Sequence, residues 1–132
     1  MKHPPTEAQL SIIPGLYKTE SIPTEDKIIH AHFQIFDSHW YIIEWDSVDT
    51  MFGFCILTGD LQNSEYGYVS LEDLKQIKIH GIYEVEFDTN WVPTPAGEVE
   101  LIRDGGGIFS STDSAPDRDP WTWYSLQSQP NT

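Results

Sequence analysis

Short hydrophobic runs separated by polar turns dominate most of the chain. Runs of this length that are rich in aromatic and β-branched residues are typical of β-strands joined by tight connections. Two later stretches alternate between apolar and acidic residues, which is the period of a strand with one exposed face. The pattern therefore predicts five to six sequential strands, at residues 28–36, 40–46, 51–58, 66–70, 82–88 and 98–102.

A helix over about residues 71–79 is predicted after the fourth strand. Ser70 is a suitable N-cap, and Leu71, Leu74 and Ile77 follow at the spacing of one helix face. The proline-punctuated segment before residue 28 carries apolar residues that can cover a core. Together these elements predict the α+β class, in which an antiparallel meander sheet has one face covered by the helix and the N-terminal segment.

A shift in composition near residue 104 predicts the end of the domain. Residues 1–104 then form a single α+β domain, and residues 105–132 form a polar, largely irregular C-terminal tail rich in Gly, Ser, Asp and Pro. The one apolar island of this tail contains Trp121, Trp123 and Tyr124. Aromatic side chains are costly to leave in water, so the island either docks on the domain or anchors a partner.

An excess of carboxylates narrows the classes of partner. The 132 residues include 21 Asp and Glu against 7 Lys and Arg, which gives a formal net charge of −14. Nucleic acids and anionic membranes are excluded as direct partners, because binding them needs Lys and Arg to neutralise phosphate. A basic protein partner fits this charge, and solubility alone also explains it. No motif indicates a cofactor, and the sequence does not specify the oligomeric state.

The cysteine content and the first residues favour a cytoplasmic protein. Cys55 is the single cysteine, so no disulfide can form within the chain. It lies in an apolar run without a neighbouring base, which is typical of a buried structural thiol. The first residues lack the apolar core of a signal peptide, and no apolar stretch approaches the length of a membrane span.

Several aromatic, glycine and acidic positions follow one another in a characteristic order. They are Ile13-Pro-Gly-Leu-Tyr17, Trp40-Tyr-Ile-Ile-Glu44, Phe52-Gly-Phe54, Gly59-Asp60, Glu65-Tyr-Gly-Tyr68, Ser70-Leu71 and Leu74. Through these positions, over residues 12–90, the chain resembles domain-of-unknown-function family 2958, which is found in bacteria, on plasmids and in phage-related regions. The resemblance implies a cytoplasmic bacterial or mobile-element protein, and it brings no reaction, cofactor or catalytic residue.

A candidate metal or acid–base site depends on the register of the first hairpin. If residues 37–39 form its loop, apolar positions pair with apolar positions, His32 faces Glu44 and His30 faces Asp46. A loop one residue shorter would place His32 opposite an apolar side chain instead. The first register collects two histidines and two carboxylates on one face, where they could bind a metal ion or act as an acid–base pair. The alternative is an exposed polar face with weak ion pairs.

A second candidate surface is the acidic face of the last two predicted strands. Carboxylates at alternate positions repeat about every 6.7 Å along a strand, so two paired strands could imitate the phosphates of a nucleic acid. The alternative is a solvated face without a partner. The residues of this face are Glu84, Glu86, Asp88, Glu98 and Glu100.

Three functional hypotheses follow. The first is a non-enzymatic, acidic protein-binding module that docks on a basic, nucleic-acid-handling protein, in its sharpest form as an inhibitor from a mobile element. The second is a metal-dependent enzyme that uses the histidine and carboxylate face. The third is a structural module of a larger assembly, anchored through the aromatic island of the tail.

Overall fold

The computed structural model describes residues 1–108, and a five-stranded antiparallel sheet lies at its centre. In chain order the strands β1 to β9 are Ile28–Ile29, Ala31–Ile35, Ser38–Trp45, Thr50–Ile56, Glu65–Ser70, Lys78–Ile79, Tyr83–Glu84, Glu86–Phe87 and Thr94–Pro95. The helices α1 to α3 are Glu7–Leu10, Leu71–Gln76 and Glu100–Asp104, and 3₁₀ turns are formed by Thr24–Asp26, Leu61–Asn63 and Ala96–Glu98. Several short helices therefore replace the single helix that the sequence predicted.

The central sheet is an antiparallel meander over its first four strands, as predicted. Its order is β5-β4-β3-β2-β8, so β2 to β5 lie side by side and β8 joins at the β2 edge. The other strands form two separate pairs, β1 with β9 and β6 with β7. Residues 82–88 are not one strand, because buried Val85 separates two short strands that pair with different neighbours.

The β2–β3 hairpin has a register that neither of the two predicted loops gives. Its loop consists of Phe36 and Asp37 alone, so His32 pairs with Tyr41 rather than with Glu44. Phe36 has a left-handed conformation, with φ 50°, as tight hairpin loops require. Matching apolar faces could not select the register, because both faces of this sheet are covered.

Hydrophobic side chains are buried on both faces of the sheet. The first cluster includes residues of α1 and α2 and consists of Leu10, Ile13, Ala31, Phe33, Ile35, Trp40, Ile42, Met51, Leu71, Leu74, Val85 and Phe87. The second cluster includes residues of α3 and of the 3₁₀ turn before it and consists of Ile29, Tyr41, Ile43, Phe54, Ile56, Ala96, Val99 and Ile102. The prediction of one covered face was therefore incomplete.

Helix α2 begins where predicted but ends at Gln76. The Ser70 hydroxyl accepts a hydrogen bond from the Asp73 amide at 3.1 Å and caps the N-terminus. The chain then forms β6, which pairs with β7 across a turn in which His80 and Gly81 have φ values of 54° and 72°. Gly81 therefore permits a hairpin turn and does not end the helix.

Residues 98–102 end a 3₁₀ turn and begin α3, where the alternation predicted a strand. Val99 and Ile102 are both buried in the second cluster, with exposed fractions of 8% and 0%. Their spacing of three positions matches one face of a helix, whereas a strand would point them to opposite faces. Burial of this pair therefore favours the helix over the strand.

The N-terminal segment passes from one face of the sheet to the other. Leu10 and Ile13 belong to the first cluster. The Pro14 carbonyl then accepts a hydrogen bond from the Trp45 amide at 2.8 Å, at the end of β3. The following residues bind the carboxylate of Glu44, which forms part of the candidate site described below.

The folded body continues past the predicted boundary at residue 104. The Ser64 hydroxyl donates to the Gly105 carbonyl at 3.1 Å, and the Tyr66 hydroxyl donates to the Gly107 carbonyl at 3.0 Å. Ile108 packs against the second cluster. The body therefore extends at least to this residue.

Residues 109–132 lie outside the described part of the chain, and so do Trp121, Trp123 and Tyr124 of the predicted aromatic island. Within residues 1–108, no helix is both long and apolar enough to cross a membrane.

Candidate functional site

The predicted cluster of His30, His32, Glu44 and Asp46 does not form. The hairpin register separates His32 from Glu44, and the Asp46 carboxylate instead accepts hydrogen bonds from the amides that follow it. The buried Nδ1 atom of His30 has no hydrogen-bond partner. Among the described residues, no group of three or more His, Cys, Asp or Glu side chains is arranged to bind a metal ion.

His32 belongs to a different polar cluster, which joins three strands or their ends. Its Nδ1 atom lies 3.0 Å from the Asp88 carboxylate, and its Nε2 atom lies 2.9 Å from Nδ1 of His39. The Tyr41 ring stacks on His32 at 4.6 Å, and the Trp91 ring lies tilted at 5.2 Å. If the carboxylate accepts from Nδ1–H of His32, Nε2 of His32 accepts from His39.

Burial keeps this histidine pair neutral. Desolvation lowers the pKa of His32, and the hydrogen bond and charge of Asp88 oppose that shift only in part. Desolvation also lowers the pKa of His39, to which a protonated His32 would add repulsion. Burial raises the pKa of Tyr41 to about 12. The cluster therefore links β2, β3 and the end of β8 through neutral rings and one carboxylate.

Sequence reasoning missed this cluster because its members are far apart in the chain. His39 was assigned to a loop, and Asp88 was assigned to an acidic surface. The histidines are only seven positions apart, but Asp88 follows His32 by 56 positions. Only the pairing of β2 with β8 brings the carboxylate to the ring.

The predicted acidic face of five carboxylates does not form either. Glu84 binds the amino group of Met1 at 2.6 Å, and Glu86 lies 3.9 Å from the ammonium group of Lys2. The Asp88 carboxylate is bound to the His32 ring. Glu98 and Glu100 lie in the 3₁₀ turn and α3, so they do not form a strand paired with residues 82–88.

The remaining excess of negative charge lies on other exposed side chains. Within residues 1–108, cationic groups lie within 4.0 Å only of Glu84, Glu86 and Asp88. Exposed carboxylates without such a neighbour in this range are Glu7, Glu20, Asp26, Asp37, Asp46, Asp60, Glu65, Glu72, Asp73, Glu98, Glu100 and Asp104.

Glu44 is a buried carboxylate that fastens the N-terminal segment to the second face of the sheet. A β-bulge after Ile42 pairs it with Phe52, and its side chain is only 5% exposed. One oxygen accepts from the Tyr17 amide at 2.9 Å, and the other accepts from the Thr19 amide at 3.1 Å and from the Thr19 hydroxyl. We call this set of hydrogen bonds the Glu44 latch.

Beside the latch lies an exposed aromatic surface. Tyr17 is 60% exposed and has a left-handed backbone with φ 68°. Tyr68, on β5, is 56% exposed, and the Phe52 ring lies 5.2 Å from it. We call Tyr17, Phe52 and Tyr68 the tyrosine face. The neighbouring Tyr17 hydroxyl raises the pKa of Tyr68 most, and the charges of Glu44 and Glu20 raise it further.

Strand β5 forms one edge of the central sheet. An added Cβ at Gly67 would meet no atom within 4 Å, so the face of β5 opposite Tyr68 is uncovered at this position among the described residues. The tyrosine face therefore combines exposed rings, nearby negative charge and a strand edge.

Cys55 is half-buried, and burial raises the pKa of its thiol to about 11. It is therefore protonated at neutral pH, which fits the predicted structural role better than a nucleophilic one.

No protein-family model, no curated protein and no solved structure matches the chain. The resemblance to domain-of-unknown-function family 2958 therefore stays a prediction that rests on the residues quoted for it. Some of those residues, Tyr17, Glu44, Phe52 and Tyr68, lie together in the latch and the tyrosine face.

Proposed function

We propose that this protein is an acidic protein-binding module that docks on a basic protein. The observation that carries the proposal is the excess of exposed carboxylates without a cationic neighbour among the described residues, in a chain of formal charge −14. Such a surface accelerates encounter with a positively charged partner and repels nucleic acid. We further propose that the partner handles nucleic acid and that the module, encoded by a bacterium or a mobile element, inhibits it.

The acidic residues proposed for docking lie on two neighbouring turns and at the start of α3. The Ala96 amide donates to the Lys27 carbonyl at 2.8 Å, which fixes the 3₁₀ turn Ala96–Glu98 against Thr24–Asp26. An added Cβ at Gly97 would lie 3.1 Å from the Cβ of Glu25, so the two turns touch. We call Glu25, Asp26, Glu98 and Glu100 the turn carboxylates.

The turn carboxylates contrast with those of the predicted strand face. Like charges held near one another oppose folding, and a basic partner would relieve that repulsion. Glu84 and Glu86 already have cationic partners, so they have less to gain from docking. Docking through the turn carboxylates does not need the regular phosphate-like spacing that the paired strands would have supplied.

Affinity capture with the full chain tests this function. The immobilised protein is exposed to a lysate of its host at low salt and eluted with a salt gradient, and the retained protein is then purified. Two variants of equal charge are compared, namely Glu98→Lys with Glu100→Lys, and Glu7→Lys with Glu72→Lys as the control. We expect at least a tenfold loss of affinity in the first and less than about a threefold loss in the second.

Two results would contradict the proposal. One is that no basic protein is retained in a salt-dependent manner. The other is that both variants weaken binding equally, since that outcome reports net charge and not a docking surface. Circular dichroism and thermal unfolding of each variant confirm that the fold is intact.

A further inference from the structure

We propose that the tyrosine face is the docking site for a lysine or arginine side chain of the basic partner. The inference rests on the proposed function and names the chemistry of one contact within it. Cations bind over aromatic rings within about 6 Å of the ring centre, because the faces of the rings carry negative potential. Tyr17, Phe52 and Tyr68 supply such rings at the surface.

The backbone positions that carry the rings are fixed before any partner arrives. The Tyr17 amide donates to Glu44, whose carboxylate is fixed by further bonds from Thr19. Phe52 and Tyr68 are cross-strand partners in the centre of the β4–β5 pair. Ordering the chain is one of the main costs of association, so a fixed backbone and the contact between the Phe52 and Tyr68 rings favour binding.

The local charge also favours a cation. Glu20 is exposed, and Glu44 lies beneath the face with a negative charge that acts on Tyr68. The ammonium group of Lys27 donates to the Thr19 hydroxyl, which in turn donates to Glu44, so Lys27 offsets part of this buried charge and the exposed Glu20 is the carboxylate left to attract a cation. Negative charge near the rings strengthens the attraction for a cationic side chain.

A second exposed aromatic pair lacks this charge. Phe36 and Tyr83 lie 5.0 Å apart and line an open groove of about 730 Å³. The carboxylates of this groove, Glu84 and Glu86, already have cationic neighbours, one of which is Lys2. The tyrosine face is therefore the better cation site, and Tyr83 offers a matched control.

The test measures binding of a hexalysine peptide to the full chain by isothermal titration calorimetry. Tyr68→Leu removes one ring without changing the net charge, and Tyr83→Leu does the same at the groove. Tyr17→Asn removes the second ring and retains a residue that tolerates the left-handed backbone. We expect about a fivefold loss of affinity for Tyr68→Leu and for Tyr17→Asn, and less than about a twofold loss for Tyr83→Leu.

The same variants are then tested against the captured basic protein. If Tyr68→Leu and Tyr17→Asn leave both affinities unchanged while reversal of Glu98 and Glu100 weakens binding, the docking site is wrong and the proposed function stands. If neither the tyrosine variants nor the reversal of Glu98 and Glu100 weakens binding, both the docking site and the proposed function are wrong. Equal losses of affinity in Tyr68→Leu and Tyr83→Leu would also overturn the site, because the peptide would then bind exposed aromatic rings without preference for the tyrosine face.

Discussion

Replacing Glu44 by glutamine should destabilise the protein by about 3 kcal/mol. The substitution keeps the size and shape of the side chain but replaces one carboxylate oxygen by an amide group that donates. In the Glu44 latch, one oxygen accepts from the Tyr17 amide and the other accepts from Thr19. Whichever way the glutamine turns, at least one N–H then faces another donor.

The expected magnitude follows from the bonds that are lost. A hydrogen bond to a charged group contributes about 1.5–3 kcal/mol, and one such bond is broken outright. The bonds that remain become neutral and lose about half their strength. Removing a buried charge also removes its desolvation cost, which opposes the loss. A net value of about 3 kcal/mol leaves a protein of ordinary stability still folded.

Urea denaturation of the wild type and Glu44→Gln measures this difference. Glu65→Gln is the control, because it removes the same charge from an exposed position on β5. Hydrogen exchange of the Tyr17 and Thr19 amides should accelerate in Glu44→Gln and not in the control. A loss below about 0.5 kcal/mol, with exchange unchanged, would refute the latch as the attachment of the N-terminal segment.

Two further predictions concern the sheet and the histidine pair. Gly53→Ala should lower the free energy of unfolding by more than about 3 kcal/mol in urea denaturation, because the added Cβ would lie 2.0 Å from the Tyr41 carbonyl oxygen. Gly67→Ala, whose added Cβ has no atom within 4 Å, should change it by less than about 0.5 kcal/mol. Similar losses in the two variants would contradict the described packing. In the folded protein the pKa values of His32 and His39 are lowered from 6.5, so the unfolded state takes up protons first as the pH falls. The contribution of the two histidines to the free energy of unfolding is therefore complete above pH 6.5, and it is lost as the pH falls from 6.5 to their folded pKa values. His39→Gln should therefore lose less unfolding free energy than the wild type between about pH 7.5 and about pH 5.5, and an equal loss would be contrary evidence.

The parts of the fold that were predicted from sequence depend on local signals. Strands β2 to β5 are hydrophobic runs joined by short turns, and the Ser70 cap is a local hydrogen bond. Residues 98–102 were assigned wrongly because a five-residue window with Val99 and Ile102 fits both a strand and a helix, and only burial in the second cluster decides between them.

The candidate sites were harder to predict, because their partners are distant in sequence. His32, Glu44 and Asp88 were all selected as functional candidates, but the partners assigned to them were wrong. The hairpin turns one residue earlier than predicted, at the left-handed Phe36, which changed every cross-strand neighbour of His32. No periodicity indicates that Tyr17 binds Glu44, because the N-terminal segment must first cross the sheet.

Glu44 connects the stability of the fold to the proposed docking site. The latch holds the Tyr17 backbone in its left-handed conformation, and the charge of Glu44 acts on Tyr68. Glu44→Gln should therefore weaken hexalysine binding more than the control Glu65→Gln, even though both variants lose one negative charge. If binding depended on net charge alone, the two variants would bind equally well. A larger effect of the buried residue would instead show that Glu44 contributes to the tyrosine face beyond net charge, through its local charge and its hold on the Tyr17 backbone.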